Sequence, residues 1–344
     1  MQLDGIHHIT AITADAHRNV DFYARVLGLR LVKKSVNQDD PTVYHLFYGD
    51  EHAHPGLDMT FFEYPGAAPG RAGEGMIHRV VWRVGAEEAL DFWAERLAGE
   101  GMETRRDGAS LVFADPEGLE HELLVANVED EPLIADHPEV PGEHALQGFH
   151  AVRAYTSDPE RSRGLLDALG FEPVERERAS GEADGGPASG LEHAGPASGL
   201  VHGGPASAPE DGATAFEARG PRRGGLYLYD APPAERGIQG AGTVHHVAWA
   251  SEDEDHEAWR DRVQQGGGRP TPVIDRHYFR SIYFREPSGV LFEIATRSPG
   301  FTVDEPLEHL GEKLSIPPFL EHRRADIEAT VRPLENPRVA LRRG

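Results

Sequence analysis

The sequence predicts an α+β fold made of four βαβββ modules, and three observations carry that prediction. One order of segments recurs four times along 344 residues: a short apolar strand, an amphipathic helix, then several strands. Each opening strand holds a histidine at the same place, in GIHHITAIT, GMIHRVVWRV, QGFHAVRAYT and GTVHHVAWA. Two of the units also share a Pro–x–Gly turn leading into a last strand, FADPEGLEHE and FREPSGVLFE.

Module one covers 5–64. After GIHHITAIT (5–13) comes the helix NVDFYARVLG (19–28), with Val20, Tyr23 and Leu27 at helical spacing and Gly28 as its stop. The strands LRLVKKSV, TVYHLFYGD and LDMTFFEY follow. Module two, 75–126, runs from its opening strand into the helix EEALDFWAERLAGEG (87–101), then ETRRD, SLVFADPEG and LEHELLVA. The acidic, Pro-containing stretch 127–144 marks the junction, and the linker is placed at 131–146, between an N-terminal half (1–130) and a C-terminal half (147–300).

Module three, 147–231, has the helix SRGLLDALG (162–170), the strand FEPVERE and the last strand GGLYLYDA. It carries an insert near 181–219, within which 186–212 repeats every nine residues (GPASGLEHA, GPASGLVHG, GPASAPEDG). Its Gly, Pro, Ala and Ser bury too little apolar surface to order a chain, so disorder is expected, His193 and His202 included. Module four, 242–297, has the helix DHEAWRDRVQQGGG (255–268), then PTPVI, RSIYFREPSG and VLFEIATRS. The tail 301–344 reads as irregular, with one short helix in HRRADIEATV.

Composition removes several function classes. There is no cysteine, hence no disulfide, zinc–thiolate site, iron–sulfur cluster or cysteine nucleophile. No apolar run is long enough to span a bilayer, and MQLDGIHHIT lacks the character of a secretion signal. With 58 acidic against 34 basic residues, the net charge of −24 disfavours nucleic acid and anionic membranes. The expectation is a cytoplasmic protein of a salt-adapted organism, free of nucleic-acid and membrane partners.

Aligning the modules on one another isolates the chemistry. The openings give His7–His8, His78–Arg79, His150–Ala151 and His245–His246, so only modules one and four place histidine at the second position. The last strands of modules two and four place a carboxylate six residues past the proline, Glu122 and Glu293. Glu293 lies between Phe292 and Ile294, where an ionised group is costly unless paired or bound to a metal. Two histidines and one carboxylate form a facial triad suited to Fe(II), and also to Mn(II). The triad is His8, His246 and Glu293, between modules one and four; Arg79 and Ala151 leave the equivalent site in modules two and three without ligands, and Arg79 is expected to pair with Glu122. Consecutive strand residues face opposite ways, so one histidine of each pair ligates while the other supports it.

The modules resemble the vicinal oxygen chelate superfamily, which includes glyoxalases, bleomycin-resistance proteins and extradiol dioxygenases. GIHHITAIT, VDFYARVLGLRLVKKSVN, YHLFYGD, TVHHVAWA, RSIYFREPSGVLFEIAT and SPGFTVDE resemble, more narrowly, dioxygenases that cleave hydroquinone rings. The resemblance implies two pairs of modules with curved half-barrel sheets, Fe(II) on His8, His246 and Glu293, acid–base or supporting roles for His7, His245 and Tyr283, and a substrate-side Arg276. It implies a small aromatic substrate opened with O₂. Two other readings stay open. A glyoxalase-type isomerase or lyase would need a fourth ligand, for which Glu63 is available; a non-catalytic binding protein would need no triad. Symmetry statistics favour a homo-oligomer.

Overall fold

Each module folds in the order its sequence predicts. The computed structural model describes residues 1–174 and 214–341. Module one contains β1 (Ile6–Thr13), α1 (Ala16–Val20), β2 (Arg30–Val36), β3 (Tyr44–Gly49) and β4 (Asp58–Glu63). Module two contains β5 (Ile77–Val84), α2 (Glu87–Gly99), β6 (Thr104–Asp107), β7 (Ser110–Ala114) and β8 (Glu120–Val125). Module three contains β9 (Phe149–Tyr155), α3 (Glu160–Ala168), β10 (Glu172–Pro173), β11 (Thr214–Arg219) and β12 (Gly224–Asp230). Module four contains β13 (Val244–Ser251), α4 (His256–Gln265), β14 (Ile274–Asp275), β15 (Arg280–Arg285) and β16 (Leu291–Thr296).

Three expectations are corrected. The first helix begins at Ala16 rather than residue 19, because the Asp15 side chain caps it by accepting from His17 N and Arg18 N; it continues as a π-helix over Asp21–Val26. The insert expected near 181–219 stops short of Thr214, since Thr214–Arg219 pairs with β12 and buries Phe216 and Ala218; the nine-residue repeat, with His193 and His202, lies outside the described residues. The tail is more regular than expected, with α5 (Arg324–Thr330), α6 (Pro337–Leu341) and three 3₁₀ turns.

The strands form two eight-stranded sheets, and neither follows the order of the chain. One runs β14-β15-β16-β13-β1-β4-β3-β2 and joins modules four and one; the other runs β10-β11-β12-β9-β5-β8-β7-β6 and joins modules three and two. Each sheet is curled into a half-barrel. One large apolar cluster holds helix residues such as Trp93 and Trp259 against strand residues such as Ile9, Val80 and Val247. The opposite faces carry small separate clusters, Val32, Phe47 and Phe279 among them in the first sheet and Val81 and Leu226 in the second.

The central antiparallel pairs share one irregularity. In β1–β13, Ile6 pairs with Trp249 but His8 with Ala248, and Thr10 pairs with His246 but Ala11 with Val244. His7 and His245 are therefore each one extra residue, the mark of a β-bulge. In β5–β9 the same slips omit His78 and His150. The histidine common to the four openings is thus the bulge residue of each module.

A second device repeats across module boundaries. Asp115, before the Pro of its turn, accepts from Glu117 N and Leu119 N and takes the Tyr23 hydroxyl of module one at 2.9 Å. Glu286, at the equivalent place in module four, accepts from Ser288 N, Val290 N and the hydroxyls of Tyr227 and Tyr229 in module three. Each carboxylate closes its own turn and docks a neighbouring module. Burial pushes the Asp115 carboxyl up to about 6. The folded protein then holds a proton on Asp115 that the unfolded chain releases, so this residue's contribution falls as pH rises. Relative to Asp115→Asn, the wild-type protein should lose up to about 3 kcal/mol of stability between about pH 4 and 6, read from denaturant unfolding at stepped pH.

Candidate metal centre

The bulges bring the two His–His pairs together at the centre of the first sheet. His8 Nε2, His246 Nε2 and Glu293 Oε2 converge: 3.2 Å from His8 to Glu293, 2.9 Å from His246 to Glu293, and 3.3 Å between the two imidazoles. Neighbouring donors around one ion at about 2.1 Å stand roughly 3.0 Å apart when their bonds to it are at right angles, so these edges suit one face of an octahedron. Glu293 is 0% exposed, and its Oε2 has no well-aligned hydrogen bond. Its other oxygen accepts from Ser281 Oγ. A buried carboxylate oxygen left without a donor, with two imidazole nitrogens aimed at the same point, fits a divalent cation.

Supporting contacts fix how the imidazoles present themselves. His7 Nδ1 lies 2.9 Å from His8 Nδ1, and His7 Nε2 lies 3.1 Å from the Thr296 carbonyl. A carbonyl only accepts, so His7 carries its proton on Nε2 and offers Nδ1 as acceptor. His8 then donates from Nδ1 and keeps Nε2 free to ligate. His245 Nδ1 stands 2.8 Å from His246 Nδ1 in the same relation. The expectation that consecutive histidines point apart is corrected here: the bulge turns His7 back toward His8, and His245 toward His246. Burial, with the His8 charge next in weight, holds His7 well below the usual imidazole range.

A cleft opens beside these donors and is lined by His8, His246, His45, Phe62, Phe279 and Tyr283, among others. Arg276 reaches it with Nε 3.3 Å from the Tyr283 hydroxyl, while its other nitrogens grip Asp39 at 3.2 and 3.0 Å. Burial and the Glu293 charge raise Tyr283, so its phenol stays protonated. His7 lies outside this lining, and His245 faces a different cavity beside Arg285 and Gln239. Glu63 does not join the ligands: it ends β4 and accepts from Ala16 N at the start of α1.

Sequence alone did not single out Thr10, Thr60, His45, Ser281 or Phe279. Thr10 Oγ1 bonds Thr60 Oγ1 at 2.7 Å and lies 2.9 Å from His246 Nε2; Thr60 Oγ1 lies 3.1 Å from His45 Nε2. The period-two pattern offered a signal, since Thr10 stands two residues past His8 and pairs with Thr60.

The second sheet shows the same frame with different chemistry. Arg79 stands where His8 stands in module one, and donates to Glu122 and to Glu120 at 3.1 Å. Arg153 holds Asp230 through two nitrogens. Guanidinium charge stands beside Glu122, at the carboxylate equivalent to Glu293.

Two predictions follow from this pair of sites. His7→Phe should weaken metal binding roughly 10–100-fold by releasing the His8 tautomer, while Glu293→Gln should leave protein without metal; anaerobic metal titration with elemental analysis reads both. Arg79→Met should strip Glu122 of its nearest cation and destabilise the fold by about 3–5 kcal/mol, with metal content unchanged.

Comparison with known proteins accords with this frame. Residues 5–123 and 148–294 match the family model of the Glyoxalase/Bleomycin resistance protein/Dioxygenase superfamily. MhqA of Bacillus subtilis (strain 168), whose name assigns it provisionally to the ring-cleaving dioxygenases, is 41% identical over 97% of this chain and 100% of its own. The chlorohydroquinone/hydroquinone 1,2-dioxygenase of Sphingobium indicum is 30% identical, over 96% of each chain. A crystal structure of a Bacillus subtilis protein provisionally assigned as a dioxygenase superposes with a TM-score of 0.82 at 36% identity, covering 97% of this chain and 98% of that one. Glyoxalase I from Zea mays, at 15% identity and a TM-score of 0.54 over 90% of this chain and 97% of its own, shares the fold.

Proposed function

The chain belongs to the Glyoxalase/Bleomycin resistance protein/Dioxygenase superfamily, and from that premise we propose that it is an Fe(II)-dependent dioxygenase that opens a hydroquinone-type aromatic ring with O₂. The observation that carries this reading is the convergence of His8, His246 and Glu293 on one point at the floor of a cleft walled by aromatic rings. Relatives named as ring-cleaving dioxygenases across nearly the whole chain support it. When bound, the iron supplies Lewis acidity toward a phenolic oxygen and a route for electrons from the ring to O₂, using the coordination positions that three protein ligands leave open.

The chain's own residues do the rest. Phe62 and Phe279 form apolar walls against which a planar ring can lie, and they keep water from the ligands. Tyr283 keeps its proton and presents it at the cleft, where it can stabilise negative charge that builds on a substrate oxygen. Arg276 orients that phenol through Nε and adds a fixed positive charge, itself aligned by Asp39. His7 and His245 act through His8 and His246 rather than on substrate, which makes them positioning residues. Mn(II) suits the same donor set, and metal analysis of protein purified without added metal separates the two ions.

Among the described residues the glyoxalase-type reading finds no fourth ligand, because β4 turns Thr60 toward the centre and spends Glu63 on the helix α1. Oxygen uptake by Fe(II)-loaded protein, tested with hydroquinones and catechols, checks the proposal. One O₂ consumed per ring, with a ring-opened acid as product, is the expected outcome. Absence of uptake on every ring despite bound iron would overturn it.

A further inference from the structure

The connection between β3 and β4, in GDEHAHPG (49–56), carries a second group of metal-ligand residues, Asp50, His52 and His54, and the ring-opening proposal uses none of them. Among the described residues, only this group and the triad bring three such donors within 4.8 Å of one another. Asp50 is 2% exposed, whereas both histidines are open to solvent.

The backbone assembles the group in advance. Asp50 Oδ1 accepts from His54 N at 2.7 Å, and Oδ2 accepts from His54 Nδ1 at 2.7 Å. Ala53 lies at φ +58°, a left-handed conformation uncommon outside glycine. That turn sets His52 beside His54, with ring centroids 5.4 Å apart and planes inclined by 29°. His8 and His246 of the triad stand at the same 5.4 Å. The connection is pinned on both sides of the pair, by Glu51 N on the Ile134 carbonyl at 3.0 Å and Gly56 N on the His7 carbonyl at 2.9 Å. Closure of a turn accounts for Asp50 and His54. It does not account for His52, which makes no hydrogen bond or ion pair among the described residues and has His54 as its ring partner.

We propose that Asp50, His52 and His54 form a second cation site, for a divalent transition ion of the zinc, nickel or copper class. Two imidazoles and a carboxylate suit these ions, and Fe(II) stands below them in affinity for such donors. The ion takes the place of the proton shared by His54 Nδ1 and Asp50 Oδ2, which is released to solvent, and the two atoms need separate by only about a few tenths of an ångström. His52 supplies the third donor, and water completes the coordination. Of the other charges acting on His54, Arg223 opposes a cation and Glu131 favours it. The net charge of −24 draws cations toward the whole surface. The site stands apart from the dioxygenase reading and does not depend on it.

The test is calorimetric titration of metal-stripped, full-length protein with Zn²⁺ alone. Wild-type protein should take up two equivalents, a tighter one at the triad and a weaker one at the connection. His52→Ala leaves the Asp50–His54 hydrogen bond in place, so its unfolding midpoint without zinc should match the wild type. It should weaken the second equivalent at least about 10-fold and leave the first unchanged. His52→Asp, which returns a donor to the same position, should recover part of the loss. Anomalous scattering at the zinc edge should place the second ion between the His52 and His54 rings. A single equivalent in the wild type, a second one that His52→Ala does not weaken, or an anomalous peak elsewhere would each overturn the site.

Discussion

A carboxylate with no solvent is the constraint around which this protein is arranged. Glu293 sits on an interior strand between Phe292 and Ile294, all three fully buried. An isolated charge there would cost several kcal/mol, and two neutral imidazoles do not cancel it. The structure sets both imidazole Nε2 atoms beside the carboxylate oxygen, a donor set whose charge a divalent cation would neutralise. The His–His bulges follow from that need. A regular strand would turn His7 and His245 away; the extra residue turns them back, so that each sets its Nδ1 against the Nδ1 of the histidine whose Nε2 faces Glu293.

The fourfold repeat shows how much of this is frame and how much is chemistry. All four openings bulge at the same histidine, and modules two and four end on the same carboxylate-closed turn. What separates the two sheets is a handful of side chains. Arg79 and Ala151 stand where modules one and four carry His8 and His246, and Glu122 keeps a partner because a guanidinium brings the charge that an ion would bring. The frame tolerates both solutions because each neutralises the same buried carboxylate.

The order of elements within each module, and the meeting of His8, His246 and Glu293, were legible in the sequence. Repetition supplied an internal alignment, and the alignment made two histidine pairs and one glutamate stand out from nineteen histidines and 58 acidic residues. The bulges were not legible, because alternation of apolar and polar residues carries no mark of an added residue. The early start of α1 depended on one Asp15 side chain. His45 escaped notice because nothing in YHLFYGD distinguishes a strand histidine that faces a cleft from one that faces solvent. That distinction is created by curvature, which brings β3 over a site built on β1, β13 and β16.

The strand order has a consequence for how the molecule comes into being. His8, His246 and Glu293 reside on the first, thirteenth and sixteenth strands, and β1 finds its antiparallel partner only in β13, more than 230 residues later. During synthesis the first module waits with an open central edge while the second sheet's strands emerge. Such an edge invites pairing with other chains until module four arrives. A chain broken off before module four cannot bring His8, His246 and Glu293 together at all, so an ion held by them would be acquired only once the polypeptide is complete.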